Sequence, residues 1–400
     1  MFADRVLSGM RPTGTLHLGH FHGVLKNWVK LQHEYQCLFF VADWHALTTH
    51  YESPEIIEKS VWEMVIDWLA AGVDPAQATL FIQSRVPEHA ELHLLLSMIT
   101  PLSWLERVPS YKDQQEKLGE KDLSTYGFLG YPLLQGADIL IYRANLVPVG
   151  EDQVPHIEFT REVARRFNHL YGREPGFEEK AELAIKKLGA KRAKLYRDLR
   201  VRYQQEGDDE ALDAAKALLD EAQNLSLGDR ERLFGYLEGG GKMILSEPRA
   251  LLTASSRMPG LDGQKMSKSY NNTISMRENE ESVARKVRTM PTDPARVRRS
   301  DPGDPDKCPV WPLHVVYSDD ERRQWVQEEC RSAGIGCLDC KQPVVDAILA
   351  EQRPMRARAE HYLQDPTLVR NIIEDGCERA RKLAAETMRD VRQAMGIEYD

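Results

Sequence analysis

The sequence lacks any long hydrophobic run, and this absence excludes an ordinary membrane-spanning helix. The chain has 400 residues, and none of its apolar stretches reaches the roughly 20 residues that cross a bilayer. Its first segment, MFADRVLSGMRP, also lacks the long apolar core of a secretory signal peptide. We therefore expect the protein to be cytoplasmic.

Cysteine and net positive charge are also scarce. Six cysteines in a chain of this length do not make a disulfide scaffold, and clustered cysteines in a reducing compartment are more often metal ligands. The formal net charge is −9, so an RNA partner would require local basic patches rather than the overall charge. The sequence shows no internal repeat and no low-complexity tract, and this favours an ordinary globular fold.

Strand-like and helical segments alternate over the first part of the chain. The runs RVLSG, CLFFVADW, TLFIQS and ILIYRANLVPVG are candidates for buried strands, and their alternation with helical patterns predicts a parallel α/β sheet. Residues 174–240 are rich in Ala, Leu, Lys, Arg and Glu and predict a helical insertion. We expect a catalytic domain in two parts, 1–173 and 241–277, interrupted by this insertion and followed by a helical domain over 278–400.

The stretch TGTLHLGH lies at a predicted strand-to-helix junction. A helix N-terminus offers free backbone N–H groups and the positive end of a dipole, both of which suit a phosphate. Gly19 leaves room for a base or ribose, and His17 and His20 are spaced to lie on one helical face and donate to phosphate oxygens. Taken alone, the pattern fits two surface histidines equally well.

The stretch DGQKMSKSYNN, residues 262–272, contains two lysines and no apolar stripe that would pack it against the rest of the protein. Lys265 and Lys268 could fold over a triphosphate as mobile point charges and neutralise the charge of a departing pyrophosphate. The glycine before them and the asparagines after them indicate a flexible loop. The alternative is a solvated surface loop.

A third group of polar residues follows a helical spacing. Tyr131, Gln135 and Asp138 are four and three residues apart, so their side chains can face one pocket. VPVGEDQ then follows at a probable strand end, which is where ligands bind in open parallel sheets. The alternative is a helix whose polar side meets solvent.

HLGH followed far downstream by KMSKS resembles the two signatures of class I aminoacyl-tRNA synthetases. The resemblance covers most of residues 5–275 apart from the insertion. It implies a Rossmann-type domain that joins an amino acid to AMP, using ATP with Mg²⁺, and then transfers it to tRNA. It also implies that His17, His20, Lys265 and Lys268 assist the departure of pyrophosphate. The implied ATP site is Arg11, Gly19, His20, Lys265, Met266, Ser267 and Lys268.

Within these enzymes the chain is similar to the tyrosyl/tryptophanyl pair, and YPLLQGAD fits either member. VPVGEDQVPHIEFTR, LQHEYQCLFFVADWHALT and an apolar Leu7 favour the tryptophanyl branch, which implies L-tryptophan and tRNA(Trp) as substrates. Arg11 and Gln135 replace a glutamine and a methionine that are common in that branch, so tyrosine stays an alternative. Less favoured alternatives are a nucleotidyltransferase without tRNA and a catalytically silent RNA-binding homologue.

An indole N–H is only a donor, so a tryptophan pocket needs a buried acceptor, for which Asp138 is the candidate. The resemblance assigns Tyr131 and Gln153 to the α-amino group. The complete expected substrate site is Leu7, Gly9, His45, Tyr131, Gln135, Asp138, Val147, Val149, Gly150, Asp152 and Gln153.

Four cysteines, Cys308, Cys330, Cys337 and Cys340, are clustered in the C-terminal part of the sequence. Four thiolates can bind either zinc or an iron–sulfur cluster, and unrelated buried thiols are the further alternative. The GCLDCK stretch resembles that of tryptophanyl-tRNA synthetases that carry a 4Fe–4S cluster. The resemblance favours this cluster over Zn²⁺ and implies a structural role beside the anticodon-reading region.

Three basic stretches could contact RNA; a solvated helix face explains the first two equally well, and the alternative for the stretch in the insertion is packing on the catalytic domain. They are ARKVRTMPTDPARVRRS over 284–300, RPMRARAEHY over 353–362 and KRAKLYRDLRVRY in the insertion. The resemblance also implies a homodimer, which is the commonest symmetric assembly.

Overall fold

The architecture was obtained as a computed structural model that describes residues 4–108, 125–172, 176–237, 241–252 and 258–399. The strands of this part are β1 Arg5–Met10, β2 Gln36–Val41, β3 Ala78–Ile82, β4 Leu146–Val149 and β5 Arg249–Leu252. They form a parallel sheet in the order β3-β2-β1-β4-β5. The predicted α/β class with a Rossmann-type parallel sheet is therefore confirmed.

The sheet order reverses between β1 and β4. Successive strands are added on one side of β1 up to β3, and the chain then returns to place β4 on the other side of β1. The ends of the two central strands separate at this switch point, which opens a crevice at their carboxyl edge. β3 is buried along its whole length, as expected of a parallel strand that is covered on both faces.

One strand prediction was wrong in its extent. ILIYRANLVPVG was assigned to the sheet, but its first three residues form the last turn of a helix, and only LVPV is a strand. A short buried apolar run has no periodicity that separates a helix from a strand. The helix continues because its neighbours bury it on most sides, so the run needs no polar face.

The helices cover the sheet and build the rest of the chain. The first, α1, spans 18–31 and consists of two α-helical pieces, Leu18–His20 and Lys26–Leu31, joined by a π-helical turn at Phe21–Leu25. The helices of the catalytic part that follow are α2 Asp43–His50, α3 Glu55–Ala71, α4 Glu88–Ser97, α5 Leu102–Glu106, α6 Tyr126–Ile141 and α7 Val154–Tyr171. None of the described helices is long and apolar enough to cross a membrane.

The insertion folds around an apolar core of its own. Its helices are α8 Phe177–Lys187, α9 Ala190–Glu206, α10 Asp209–Asp220 and α11 Leu227–Leu237. Tyr196, Leu219 and Leu233 are fully buried in this core, which is separate from the core of the sheet. The chain enters and leaves the insertion at one narrow point, where the Lys242 N–H donates to the Gly172 carbonyl at 2.6 Å.

The C-terminal helices pack against the catalytic part. They are α12 Glu280–Arg288, α13 Trp311–Tyr317, α14 Asp320–Arg331, α15 Cys337–Gln364 and α16 Pro366–Met395. Residues of α15 and α16, such as Met355 and Ile373, belong to the same core as the sheet. A further core beneath the two signature motifs joins Leu18 and Met266 to Val283 and Ile348.

Candidate active site

A cavity of about 390 Å³ opens at the switch point between β1 and β4. Ten of the eleven predicted substrate residues line it, namely Leu7, Gly9, His45, Tyr131, Gln135, Asp138, Val147, Val149, Gly150 and Gln153, and Arg11 joins them. Asp152 does not line the cavity; its carboxylate is exposed and accepts a hydrogen bond from Gln153. The helical spacing of Tyr131, Gln135 and Asp138 thus does bring these three side chains to one cavity.

Asp138 is the buried anion of this cavity, with its side chain only 1% exposed. Its Oδ2 atom accepts from Nε2 of His45 at 2.7 Å. Its Oδ1 atom accepts from Nδ1 of His89 at 2.6 Å and from the Gln83 amide at 2.8 Å. Burial alone would raise the pKa of Asp138, but these partners, His45 foremost, lower it below its usual value. Oδ2 has one donor where Oδ1 has two, so the free acceptor capacity lies on Oδ2.

Three residues behind the cavity were not predicted from the sequence. His89 links Asp138 to the Tyr142 hydroxyl, which lies 2.7 Å from His89 Nε2. Burial raises the pKa of Tyr142, so its O–H stays protonated and donates, and His89 donates in turn to the carboxylate. His89 and Gln83 follow β3, so the only available signal was their position after a buried strand.

The mouth of the cavity combines an apolar wall with amide groups. Leu7 is buried, and Gly9 leaves room for Phe40, since a Cβ atom on Gly9 would lie 2.6 Å from that ring. The Gln135 amide makes no hydrogen bond to any other described residue. This arrangement suits a flat apolar ring that carries a polar group. Ser8, Phe40, Thr48 and Ile139 also line the cavity and were not predicted.

The HLGH segment forms the turn that starts α1. His17 is the N-cap rather than a helical residue, and its Nδ1 accepts from the Gly19 N–H at 3.1 Å. Nδ1 of His20 accepts from the His17 N–H at 3.2 Å, so both rings carry their proton on Nε2. Burial, with the charge of Lys268, lowers the pKa of His17 to about 4; burial, with His17 and Lys268, lowers that of His20 to about 3. Both histidines are therefore neutral N–H donors at physiological pH.

The KMSKS loop lies against this turn. Nζ of Lys268 donates to the Thr13 carbonyl at 3.1 Å and approaches Gly14, whose φ of +105° suits a glycine. Lys265 is exposed, and the stretch after the loop pairs with HLGH through the Leu18 N–H and the Ile274 carbonyl. The structure therefore brings the two predicted ATP signatures together, although they are about 250 residues apart in the sequence.

The prediction that this loop lacks an apolar anchor was wrong. Met266 is only 4% exposed and packs in the same core as Leu18. The Asn272 side chain is also buried; its amide nitrogen donates to Asp262 and to the Lys265 carbonyl, and its oxygen accepts from the Ser267 N–H. A single methionine between two lysines produces no apolar periodicity, so the pattern could not reveal the anchor.

A family profile described as "tRNA synthetases class I (W and Y)" matches residues 3–191 and 220–350. The match includes the cavity and both signature motifs. The chain belongs to this family. W and Y denote tryptophan and tyrosine, and the gap in the match, 192–219, falls within the insertion.

Curated relatives of this family match the chain over its full length. The Tryptophan--tRNA ligase of Ralstonia nicotianae is 76% identical over 399 residues and covers all of both chains. That of Thermotoga maritima is 43% identical over 397 residues and covers 99% of this chain and all of the relative. Among solved structures, the tryptophanyl-tRNA synthetase of Campylobacter jejuni with ADP and tryptophan aligns at a TM-score of 0.71 and 26% identity, covering 98% and 99% of the two chains.

The four predicted metal-ligand cysteines lie near one another in the C-terminal part of this synthetase. Cys308 precedes α13, Cys330 lies in α14, and Cys337 and Cys340 are in the first turn of α15. Burial, followed by the charges of the other three thiols, raises the pKa of Cys340 to about 12. Within the described residues, no three His, Cys, Asp or Glu side chains form the ligand set of one metal ion. The metal centre therefore stays a prediction.

Proposed function

We propose that this chain is a tryptophan–tRNA ligase, which activates L-tryptophan with ATP and transfers it to tRNA(Trp). The observation that carries the proposal is one cavity that ends on a buried carboxylate and is lined by Arg11 and Val24, which flank the HLGH turn against which the KMSKS loop lies. The tryptophan–tRNA ligases that match the full chain at 76% and 43% identity support it.

In the first step, the tryptophan carboxylate attacks the α-phosphate of ATP, and the bond to pyrophosphate breaks. Lys265 and Lys268 neutralise the charge that develops on the departing pyrophosphate, and the neutral His17 and His20 rings donate from Nε2 to phosphate oxygens. Magnesium accompanies the ATP and shares this charge neutralisation. Because positioning and charge neutralisation supply the catalysis, no side-chain nucleophile is required.

Asp138 selects tryptophan in this proposal. The indole N–H donates to Oδ2, and the ring lies between Leu7 and the apolar residues of β4, Val147 and Val149. Tyr131 and Gln153 bind the α-amino group. Gln135 contributes an amide group to the wall of the tryptophan cavity. Asp152, which lies outside the cavity, acts only through its contact with Gln153.

ATP–pyrophosphate exchange tests the proposed activation step. We expect exchange that depends on tryptophan and not on tyrosine, followed by charging of tRNA(Trp) with tryptophan. Exchange with tyrosine alone would overturn the assigned substrate. Exchange without tRNA charging would instead favour a nucleotidyltransferase, and the absence of both activities would favour a silent RNA-binding homologue.

The basic stretch of the insertion is proposed to contact tRNA. Lys186, Lys191, Arg192 and Lys194 are exposed at the junction of α8 and α9 and make no ion pair with other described residues. In the 353–362 stretch, by contrast, Arg356 and Arg358 donate to the carbonyls of Glu278 and Ala70. We propose a cytoplasmic location for this function, since tRNA charging takes place where protein is synthesised.

An exposed apolar face supports a homodimer. Leu94 of α4, Met98 directly after it, Leu102 of α5 and Tyr126 of α6 are each more than half exposed. A second cavity of about 380 Å³ lies beside Tyr126 and shares Thr48 with the tryptophan cavity. Exposed apolar patches of this kind mark association surfaces. Light scattering should give twice the mass of the chain, and Met98→Glu should shift the protein toward a monomer.

The four cysteines are proposed to hold a 4Fe–4S cluster, with Zn²⁺ as the alternative. Arg296 contacts Cys330 and is itself fixed by the Ile335 carbonyl at 2.6 Å, so a cation lies where it would stabilise the thiolate ligands of a bound cluster. The bound cluster would link α13, α14 and α15 and brace the anticodon-binding domain. Anaerobic preparations should contain about four iron and about four sulfide per chain, whereas about one zinc per chain would favour zinc.

A further inference from the structure

Two consecutive side chains of α15 contact the segments that follow the two nucleotide signatures. Glu351 contacts the segment directly after HLGH, and Gln352 contacts the stretch directly after KMSKS. Neither residue lies in a signature motif or lines the tryptophan cavity. A single helical turn, more than 300 residues from HLGH in the sequence, therefore contacts the segments that follow both signatures of the proposed ATP site.

One carboxylate oxygen of Glu351 accepts two hydrogen bonds. Oε2 of Glu351 accepts from Nε2 of His22 at 2.9 Å and from the Tyr317 hydroxyl at 2.8 Å, and His22 and Tyr317 lie 3.2 Å apart. Lys26 adds a charge 3.6 Å from Oε1. His22 is two residues after His20 and lies in the π-helical turn, a distortion that frequently marks functional sites.

The Gln352 contact is fully buried. Its amide nitrogen donates to the Ser275 carbonyl at 2.8 Å, and Arg356 donates to its oxygen at 3.1 Å. Ser275 forms an antiparallel bridge with His17, and the Met276 N–H donates to the Leu16 carbonyl at 3.1 Å. Gln352 therefore fixes the segment through which the KMSKS loop is attached to the HLGH turn.

We propose that Gln352, assisted by Glu351, is a positioning residue for ATP, which holds the HLGH turn and the KMSKS loop at the spacing that pyrophosphate departure requires. This inference rests on the proposed adenylation activity. The tryptophan cavity is lined by residues of β1, β2, α2, α6 and β4 and by Val24 of the π-helical turn, and neither Glu351 nor Gln352 lines it. Their loss should therefore affect ATP and leave tryptophan binding unchanged.

The test uses Gln352→Met, which keeps the length of the side chain and removes its donor to Ser275. We expect kcat/KM for ATP in pyrophosphate exchange to fall by about ten-fold or more, with the KM for tryptophan unchanged. Glu351→Gln, at a partly exposed position, should shift the same parameters in the same direction to a smaller extent.

Arg358→Met is the matched control. Arg358 also joins α15 to the catalytic part, by a 2.7 Å bond to the Ala70 carbonyl, but contacts neither signature. This variant should keep the parental ATP kinetics even if its melting temperature falls. The proposal is overturned if the control loses as much ATP efficiency as Gln352→Met, if the KM for tryptophan changes with that for ATP, or if both test variants keep parental kinetics. Absence of exchange in the parental protein would instead refute the proposed function.

Discussion

We expect Asp138→Asn to abolish the preference for an indole N–H while leaving the shape of the cavity intact. The Asn oxygen should remain where His89 and Gln83 both donate, because the alternative rotamer would point an NH₂ group at two donors. The NH₂ group then takes the place of Oδ2 and faces the substrate. His45 can change its tautomer to accept from this group, but an indole N–H can only donate.

The magnitude follows from the loss of one hydrogen bond to a charged, buried acceptor. Such a bond contributes about 1.5–3 kcal/mol, which corresponds to a roughly 10- to 150-fold change in kcat/KM. The assay is pyrophosphate exchange with tryptophan and with its analogue in which sulfur replaces the indole N–H. The parental protein should favour tryptophan by that factor, and Asp138→Asn should accept both substrates almost equally.

The comparison of the two substrates separates recognition from damage to the fold. A general loosening of the cavity lowers kcat/KM for both substrates in parallel, so only the ratio reports on the indole contact. If Asp138→Asn keeps the parental ratio, the carboxylate does not accept the indole N–H, and the assignment of Asp138 is wrong.

Three further predictions follow from the site and the insertion. Replacing Lys265 and Lys268 together by alanine should slow adenylate formation about 100-fold or more in a rapid-quench measurement, and a parental rate would contradict the role given to the KMSKS loop. The folded pKa values of His17, about 4, and His20, about 3, lie below the value of about 6.5 of an unfolded histidine, so stability should be lost as the pH falls below about 6.5. Urea midpoints at pH 7.5 and 5.5 measure this loss, and His17→Asn, which keeps a capping side chain, should show a smaller difference. Replacing Lys191, Arg192 and Lys194 by alanine should raise the KM for tRNA several-fold without changing the rate of pyrophosphate exchange. Swapping Lys for Arg and Arg for Lys at these positions keeps the positive charge and should keep the parental KM for tRNA.

The sequence predicted the site best where the repeat of a helix or strand alone determines which way a side chain faces. Tyr131, Gln135 and Asp138 face one cavity because the helical repeat places them there, and Leu7 lines it because β1 is a central strand. The partners of Asp138 were not predictable, because His89 reaches it only through the packing of α4 on α6. The same holds for Gln352, whose contact with Ser275 joins segments 77 residues apart.

The insertion joins the catalytic part at a single point, and this connection affects how the chain could evolve. Gly172 and Lys242 are hydrogen-bonded neighbours, and the intervening helices bury their own apolar side chains. Gly172 permits this close approach, because a Cβ atom there would lie 2.3 Å from the Lys242 carbonyl oxygen. A gene could therefore lose or gain the insertion at this one point without exposing the core of the sheet. The insertion is an attached unit and not a part of the catalytic framework.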